Sequence, residues 1–467
     1  MSKTTMLGAA LSAALIVPLS ASAASDANDS ELAAIRAQIR EMKASYEARL
    51  LALEQRLQDA QAVGAQAQNA APAAPPPPVA PTINAEPAAV ASAPAASNAF
   101  NPNISLVLGG TYANLSQDPS TYRLQGFLPP AGDTGPGRRG FNLSESELTM
   151  AANIDPMFSG QLTFSLTGED TVSVEEAFVQ TRALASGLNI KAGRFLSSIG
   201  YLNNQHAHTW DFVDAPLAYQ AFLGGQYKPD GVQAKWIAPT DTLVELGVEL
   251  GNGSSFPGNA RNKNGVGAGT VYAHVGDDIG DSGSWRAGLS LLRTGALERA
   301  VEDLGSLNTF SGSSRMLIAD GIYKWAPNGN PTRQNFKLQG EVFRRKESGA
   351  LATTSASGSF DSTQSGWYLQ GVYQFIPNWR AGLRYDRLSS GTPSIGLVNN
   401  GTYSAFAFPA LVSYQPSRSS VMLDYSPSEF SRLRLQLARD QSSPGVIDNQ
   451  IFLQYIMSLG THAAHAF

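Results

Sequence analysis

Five stretches of alternating apolar and polar residues between positions 150 and 430 end on an X-Pro turn and then restart. The turns are Asp155-Pro156, Ala238-Pro239, Ala326-Pro327, Ile376-Pro377 and Ser426-Pro427. Alternation with a period of two puts successive side chains on opposite faces of a β-strand. The segments flanking each turn run about ten residues, the span of a tilted strand crossing a bilayer. The pattern predicts an all-β fold, an antiparallel transmembrane β-barrel. Barrel geometry then decides which side chains face lipid and which face a water-filled lumen.

The N-terminus sets the compartment. Residues 1–23 carry Lys3, an apolar run from Met6 to Leu19 and the small-residue site Ala21-Ser22-Ala23. That is a signal peptide cut before Ala24, too short for a membrane anchor. No later segment offers the roughly 18 uninterrupted apolar residues of a transmembrane helix. Mean hydropathy is slightly negative, as expected when half of each strand faces water. The absence of cysteine fits an exported protein in an oxidising periplasm. A net charge of −5 excludes a globally basic nucleic-acid binder, so no nucleic-acid partner is expected.

Composition divides the rest into three. Residues 24–62 hold a helical stripe of Leu32, Ile35, Ile39, Met42, Tyr46, Leu50, Leu53 and Leu57. The steps of three and four are close to a heptad seam. A stripe this narrow needs partners, so a periplasmic coiled coil and a homotrimer are expected, although the seam alone also admits a dimer. Residues 63–99 form an Ala/Pro-rich linker including Pro75 to Pro78, a semi-rigid spacer. Residues 100–467 are the barrel, in contact with outer-membrane lipid, while the N-terminal segment lies in the periplasm.

Two further breaks, Ala185-Ser186-Gly187 and Asp277 to Gly283, bring the short turns to seven. Seven such turns separate eight hairpins, hence 16 strands. The connections at the other end, 113–139, 197–229, 251–267, 295–313, 347–362 and 389–407, are expected as long loops. Short periplasmic turns with long external loops are the asymmetry of bacterial barrels.

Parity sorts the faces. Trp367, Leu369, Tyr373 and Phe375 point outward, and Tyr368, Gln370 and Gln374 inward. Phe158, Trp236, Trp285, Trp325, Phe375, Trp379 and Tyr425 lie beside the turns, where an interfacial girdle belongs. Lys191, Lys235, Arg286, Lys324, Lys337, Arg380, Arg384, Arg432 and Arg434 face inward, as do Glu147, Glu176, Glu245, Glu249, Asp320, Glu341, Asp386 and Asp424. The near balance gives no strong ion sign. Arg380, Arg384, Arg432 and Arg434 form one basic wall, and opposed walls of charge set a transverse field in a pore.

The connection 197–229 is unlike the others. It carries Tyr201, Trp210, Phe212, Tyr219 and Phe222 in place of Gly/Ser filler, which predicts a packed segment inside the lumen. His206, His208, Trp210, Asp211 and Asp214 are its expected constriction residues, with the aspartates opposite the arginines. In an extended segment His206 and His208 share a face and can ligate a metal such as zinc. Asp211 or Asp214 could add a third ligand. His462 and His465 near the C-terminus form a second candidate pair. Without a metal, the two loop histidines hydrogen-bond within the packed loop, and no other cofactor is expected.

The signal peptide, coiled coil, Ala/Pro spacer and 16-strand pattern resemble bacterial outer-membrane porins with an N-terminal periplasmic coiled coil. Glu175-Glu176-Ala177-Phe178-Val179, followed by Ile190-Lys191-Ala192-Gly193-Arg194-Phe195, resembles their phosphate-selective-porin-like branch. Members of that branch use a basic lumen ladder, whereas acids interleave here. The segment His206 to Pro216 and the ending Gly460 to Phe467 resemble a subgroup sometimes labelled zinc-regulated TonB-dependent receptors, whose N-terminal plug is replaced here by helix and spacer. The resemblance implies passive diffusion of small hydrophilic or charged solutes. Two alternatives stand beside it: a zinc- or other metal-responsive transport protein using the His206/His208 loop, and a structural tether binding cell wall through the coiled coil. No nucleophile–base pair is legible, so an enzyme is not expected.

Overall fold

The computed structural model describes residues 102–460 apart from 129–133, 167–170, 183, 261 and 304–305. The signal peptide, the coiled-coil segment, the linker and the His462/His465 pair lie outside the described residues.

Eighteen strands share one sheet; two short ones, Gly140–Leu143 and Ser394–Ile395, flank the wall. The other sixteen close an antiparallel barrel. They are β1 (Asn103–Leu115), β2 (Ser146–Asn153), β3 (Phe158–Leu166), β4 (Val172–Thr181), β5 (Leu188–Arg194), β6 (Asp230–Ile237), β7 (Leu243–Gly251) and β8 (Ala268–Ile279). They continue as β9 (Gly283–Asp303), β10 (Ser306–Trp325), β11 (Asn335–Ala352), β12 (Ser357–Ile376), β13 (Trp379–Ser389), β14 (Ser417–Ser428), β15 (Ser431–Gln441) and β16 (Asp448–Gly460). β1 pairs with β2 on one side and β16 on the other, so the main sheet has no free edge.

All seven short turns fall where the sequence places them, at one end of the barrel. Their chemistry is local. Asp155 Oδ1 accepts hydrogen bonds from the backbone N–H of Met157 (2.7 Å) and Phe158 (2.8 Å), closing the β2–β3 turn. Ser186 and Gly187 supply positive φ (62° and 76°) to the β4–β5 turn. Asn378 does the same after Pro377 (φ 71°).

The other end departs from expectation. Residues 295–313 and 347–362 are mostly strand, not loop. β9 pairs with β10 from Gly283↔Trp325 to Asp303↔Ser306, and β11 with β12 from Asn335↔Gln374 to Ala352↔Ser357. The four strands run 21, 20, 18 and 20 residues, against 10, 7 and 8 for β4 to β6. Gly- and Ser-rich sequence hides this extension, although Phe310, Leu351 and Phe360 on it are buried in an apolar cluster. Backbone pairing persists there without apolar alternation.

Within the band, alternation holds. Leu369, Leu383, Val421 and Leu453 are exposed on the outside, while Tyr368, Met422 and Phe452 are buried inside. Aromatic pairs ring the short-turn end: Trp379 opposite Tyr425 with centroids 4.7 Å apart, Trp285 opposite Tyr323, and Trp325 opposite Phe336. Among the described residues no helix is long and apolar enough to cross a membrane.

The lumen is partly filled. Leu397, Phe408 and Leu411 from the β13–β14 connection bury against Phe310, Leu351 and Phe360 of the tall strands. The β5–β6 connection contributes a larger cluster, described next.

Candidate functional site

The β5–β6 connection folds inward and is fastened to strands around most of the circumference. Leu196 N donates to Glu176 on β4 (2.9 Å), and Ser198 N to Glu249 on β7 (3.0 Å). Gly200 N donates to Ser290 Oγ on β9 at 3.2 Å. The two legs of the loop are clamped by Asn203, which donates to Ser197 O and Tyr227 O and accepts from Tyr227 N (2.8, 2.9 and 2.7 Å).

Glu341 on β11 is the anchor. Its carboxylate accepts from the backbone N–H of Tyr201 (3.2 Å) and Leu202 (3.0 Å), and from the hydroxyls of Tyr219 (3.0 Å) and Tyr368 (2.7 Å). Gly200 allows this approach. Its φ is +64°, and a Cβ there would collide with Glu341 Oε2. The short helix α1 (Leu217–Leu223) is wholly buried. Its Phe222 stacks on Phe343 at 5.8 Å, and Tyr219 meets the same ring edge-on at 5.3 Å. Each such buried ring contributes about 1.5–3 kcal/mol, which explains the aromatic composition of this connection.

One end of the loop lies against an acidic wall. His206 Nδ1 is 2.9 Å from Glu147 Oε2 and 3.2 Å from Glu175 Oε2, and its Nε2 is 3.2 Å from Glu176 Oε2. His208 Nδ1 is 2.8 Å from Glu147 Oε1. Glu175 and Glu176 are neighbours, so simple alternation sends one of them to the outside. A β-bulge prevents this: Thr163 pairs with Glu176 and Phe164 with Val174, leaving Glu175 as the extra residue. Both carboxylates consequently face the lumen, buried at 1% and 5% exposure. Burial opposes the charge of His206, but bonds to three glutamates outweigh it and hold its pKa well above the ordinary imidazole value. Glu145, just before β2, is pushed up to about 8 by burial and by Glu175 and Glu147.

The other end lies against a basic wall. Asp211 accepts from Lys337 (2.6 Å), Gln370 (3.0 Å) and Arg380 (3.4 Å). Asp214 is held by Arg384 (2.7 Å), Arg418 (2.6 Å) and Gln436 (3.0 Å). Burial alone would raise the Asp214 pKa, but the Arg418 and Arg384 guanidiniums bring it down to about 2. Arg434 donates to Trp210 O (2.8 Å) and Arg432 to His208 O, so the wall also grips the loop backbone. These arginines are not a free cationic surface. Asp424 pairs with Arg380 (2.5 Å) and Arg434 (2.8 Å), and Asp386 with Arg384 (3.0 Å).

The aspartates are therefore engaged with cations and stand with neither histidine. That corrects the expectation that Asp211 or Asp214 stands with the histidines; the carboxylate beside both rings is Glu147. On β8, His274 Nδ1 is 3.0 Å from Glu245 Oε1 of β7. Sequence reasoning also missed Glu145, Glu175, Arg418 and the anchoring role of Glu341. For Glu175 a signal existed, because two consecutive glutamates inside a strand with one apolar face cannot both obey parity.

Two cavities flank the loop. One of about 800 Å³ opens toward the short turns and is lined by His206, Asp211, Lys337, Arg380, Glu429 and Arg432. The other, about 500 Å³, opens toward the long connections and is lined by Arg138, Glu145, Glu175, Trp210, Asp214 and Lys228. The Glu175–His206 contact thus sits in the partition between them.

No protein-family model matches the chain. An uncharacterized protein of Aquifex aeolicus (strain VF5) is 29% identical over 407 residues, covering 80% of this chain and 81% of its own length. Among solved structures the chain is similar to in-vitro folded OmpT of Vibrio cholerae in its trimer form, with TM-score 0.48, 10% identity and coverage of 77% and 99% of the two chains. It is also similar to the outer membrane channel DcaP of Acinetobacter baumannii (TM-score 0.47, 10% identity, coverage 77% and 97%). An anion-selective porin from Comamonas acidovorans stands alongside (TM-score 0.47, 11% identity, coverage 77% and 99%).

Proposed function

We propose that this protein is a porin of the bacterial outer membrane, admitting small hydrophilic or charged solutes by passive diffusion, with residues 197–229 as its constriction. One observation carries the reading. A closed barrel with an apolar exterior encloses a charged interior, in which the inserted β5–β6 connection separates two vestibules of about 800 and 500 Å³. Hydrocarbon tolerates strands only when every backbone group is paired, which closure provides. The lumen needs no such rows of charge unless water and solutes enter it.

His206, Trp210, Asp211 and Asp214 line the vestibules on either side of the partition, and His208 is buried within it. The acidic face on β2 and β4 stands across the lumen from the basic face on β11 to β15. A solute passing between them experiences a transverse field, which favours small zwitterions and weakly charged molecules over a single ion sign. Conductance across planar bilayers tests this. The expected record is small, stable open steps, enlarged when residues 201–223 are replaced by a short Gly/Ser link. Closed membranes from both proteins would overturn the channel reading, and unchanged step size would overturn the constriction.

The N-terminal heptad pattern adds a homotrimer with a periplasmic coiled coil. Native mass measurement of the mature chain should give a trimer that loses its stability when residues 24–62 are deleted. A monomer before deletion sinks this part.

A further inference from the structure

A cluster of titratable side chains in the described barrel is spent on neither the anchor nor the basic wall. Glu147, His206 and His208 offer one ligand atom each within 4.8 Å of one another, and Glu145, Glu147 and Glu175 form an overlapping set at the same limit. We propose that Glu147, His206, His208 and Glu175 bind a divalent transition metal ion of the zinc class in the partition between the vestibules. The assignment does not depend on solute passage.

Geometry comes first. The closest approaches are 2.8 Å for His208 Nδ1 to Glu147 Oε1, 2.9 Å for His206 Nδ1 to Glu147 Oε2 and 3.2 Å for His206 Nδ1 to Glu175 Oε2. Zinc with bonds of about 2.0–2.2 Å needs tetrahedral donor edges near 3.3–3.6 Å. The ligand atoms of Glu147, His206 and His208 lie within 4.8 Å of one another, so small side-chain shifts bring them to these edges, and Glu175 joins the group through its 3.2 Å contact with His206 Nδ1. Mixed imidazole and carboxylate ligation suits zinc and its neighbours, whereas calcium and magnesium prefer oxygen alone. The outer ligand is also present, since Glu176 Oε2 lies 3.2 Å from His206 Nε2. That contact turns the other ring nitrogen toward the site, the carboxylate–histidine–metal relay of known centres.

Charge and satisfaction point the same way. Four carboxylates, Glu145, Glu147, Glu175 and Glu176, meet in one place, with Lys228 reaching Glu175 only at 3.5 Å. Glu145 Oε2 is buried without a hydrogen-bond partner, a costly condition that a nearby cation relieves. Glu145 and Glu175 line one vestibule and His206 the other, so an ion can arrive from either side. Two ligands belong to the loop and two to the wall. A bound ion therefore cross-links the loop to β2 and β4.

The test is calorimetric titration of zinc into the mature, chelator-treated protein. We expect one ion per barrel, with affinity falling about 100-fold or more in His206→Ala/His208→Ala and about 10-fold in Glu175→Gln, within the range for metal and supporting ligands. His462→Ala/His465→Ala should bind as the parent does, which separates this site from the C-terminal pair. Heat-modifiable electrophoretic mobility reports whether each variant is a folded barrel. Cobalt absorption of the parent supplies a readout independent of variants, and a tetrahedral spectrum is expected. Unaltered zinc affinity in the folded loop double variant, or only an octahedral cobalt spectrum, overturns the proposal.

Discussion

The two ends of the lumen loop are fastened by opposite chemistry. At Asp211 and Asp214 the loop is the anion and the wall supplies guanidiniums and an ammonium. At His206 and His208 the loop supplies the bases and the wall the carboxylates. Arginine keeps its charge at any attainable pH and matches a carboxylate with a planar fork. Imidazole can exchange its proton for a metal. The first end is thus a fixed clasp, and the second is an adjustable one under the metal proposal.

The largest effect should come from the fixed clasp. Asp214→Ala removes the carboxylate closest to both Arg384 and Arg418 and leaves Asp386 as their remaining common anion, and removing one partner of a buried charge cluster costs up to about 3–5 kcal/mol. Differential scanning should show a lowered unfolding temperature, and Trp210 fluorescence a solvent-exposed shift. Parent-like values in both would mean that the clasp contributes nothing.

Next is Glu341→Gln, which keeps the shape but weakens four hydrogen bonds. Bonds to a charged group contribute about 1.5–3 kcal/mol each, yet the amide retains an acceptor. A net loss of about 2–3 kcal/mol is expected, read by urea unfolding of the loop through Trp210.

Acid should open the same clasp without mutation. The folded pKa of Asp214, about 2, lies below its unfolded value. Its contribution is therefore complete above pH ~4 and is lost as pH falls toward ~2. Trp210 emission followed from pH 6 to pH 2 should change in that window, and Asp214→Asn should abolish the transition. A midpoint near neutrality would assign the transition to another group.

The smallest effect is predicted at the adjustable clasp in metal-free protein. His206→Ala removes one partly exposed ring from among three glutamates, which can then be hydrated from the adjoining vestibule. A loss of about 1 kcal/mol or less is expected, in the range for partly exposed pairs. If it equals that of Asp214→Ala, the distinction between the ends fails.

How much of this was legible beforehand varies with the physics. X-Pro and Gly turns act locally, so the seven short turns and hence the sixteen strands could be counted directly. Parity placed Arg384, Arg434, Glu341 and Asp424 inside because an apolar outer face leaves them nowhere else to go. The aromatic content of 197–229 announced a buried connection for the same reason. The tall β9–β12 wall was invisible because Gly312, Ser313 and Gly349 continue the ladder without apolar side chains. Which inward charge meets which depends on strand stagger and on the path of the loop. Asp211 and Asp214 were accordingly matched to the arginines in outline, while Glu147, 61 residues from His208, was not matched to the histidines.

The bulge at Glu175 has a consequence for how such a protein can change. In a strand, orientation is a matter of counting: residues after an odd insertion all exchange faces. The Glu175–Glu176 pair therefore exists because the chain is one residue longer at this point than its partner strand requires. Deleting Val174 would straighten the ladder and swing Glu175 toward the apolar exterior, with neither glutamate substituted. The adjacent acidic pair is specified by spacing as much as by side-chain identity. It can be gained or lost in a single insertion or deletion event that substitution alone cannot imitate.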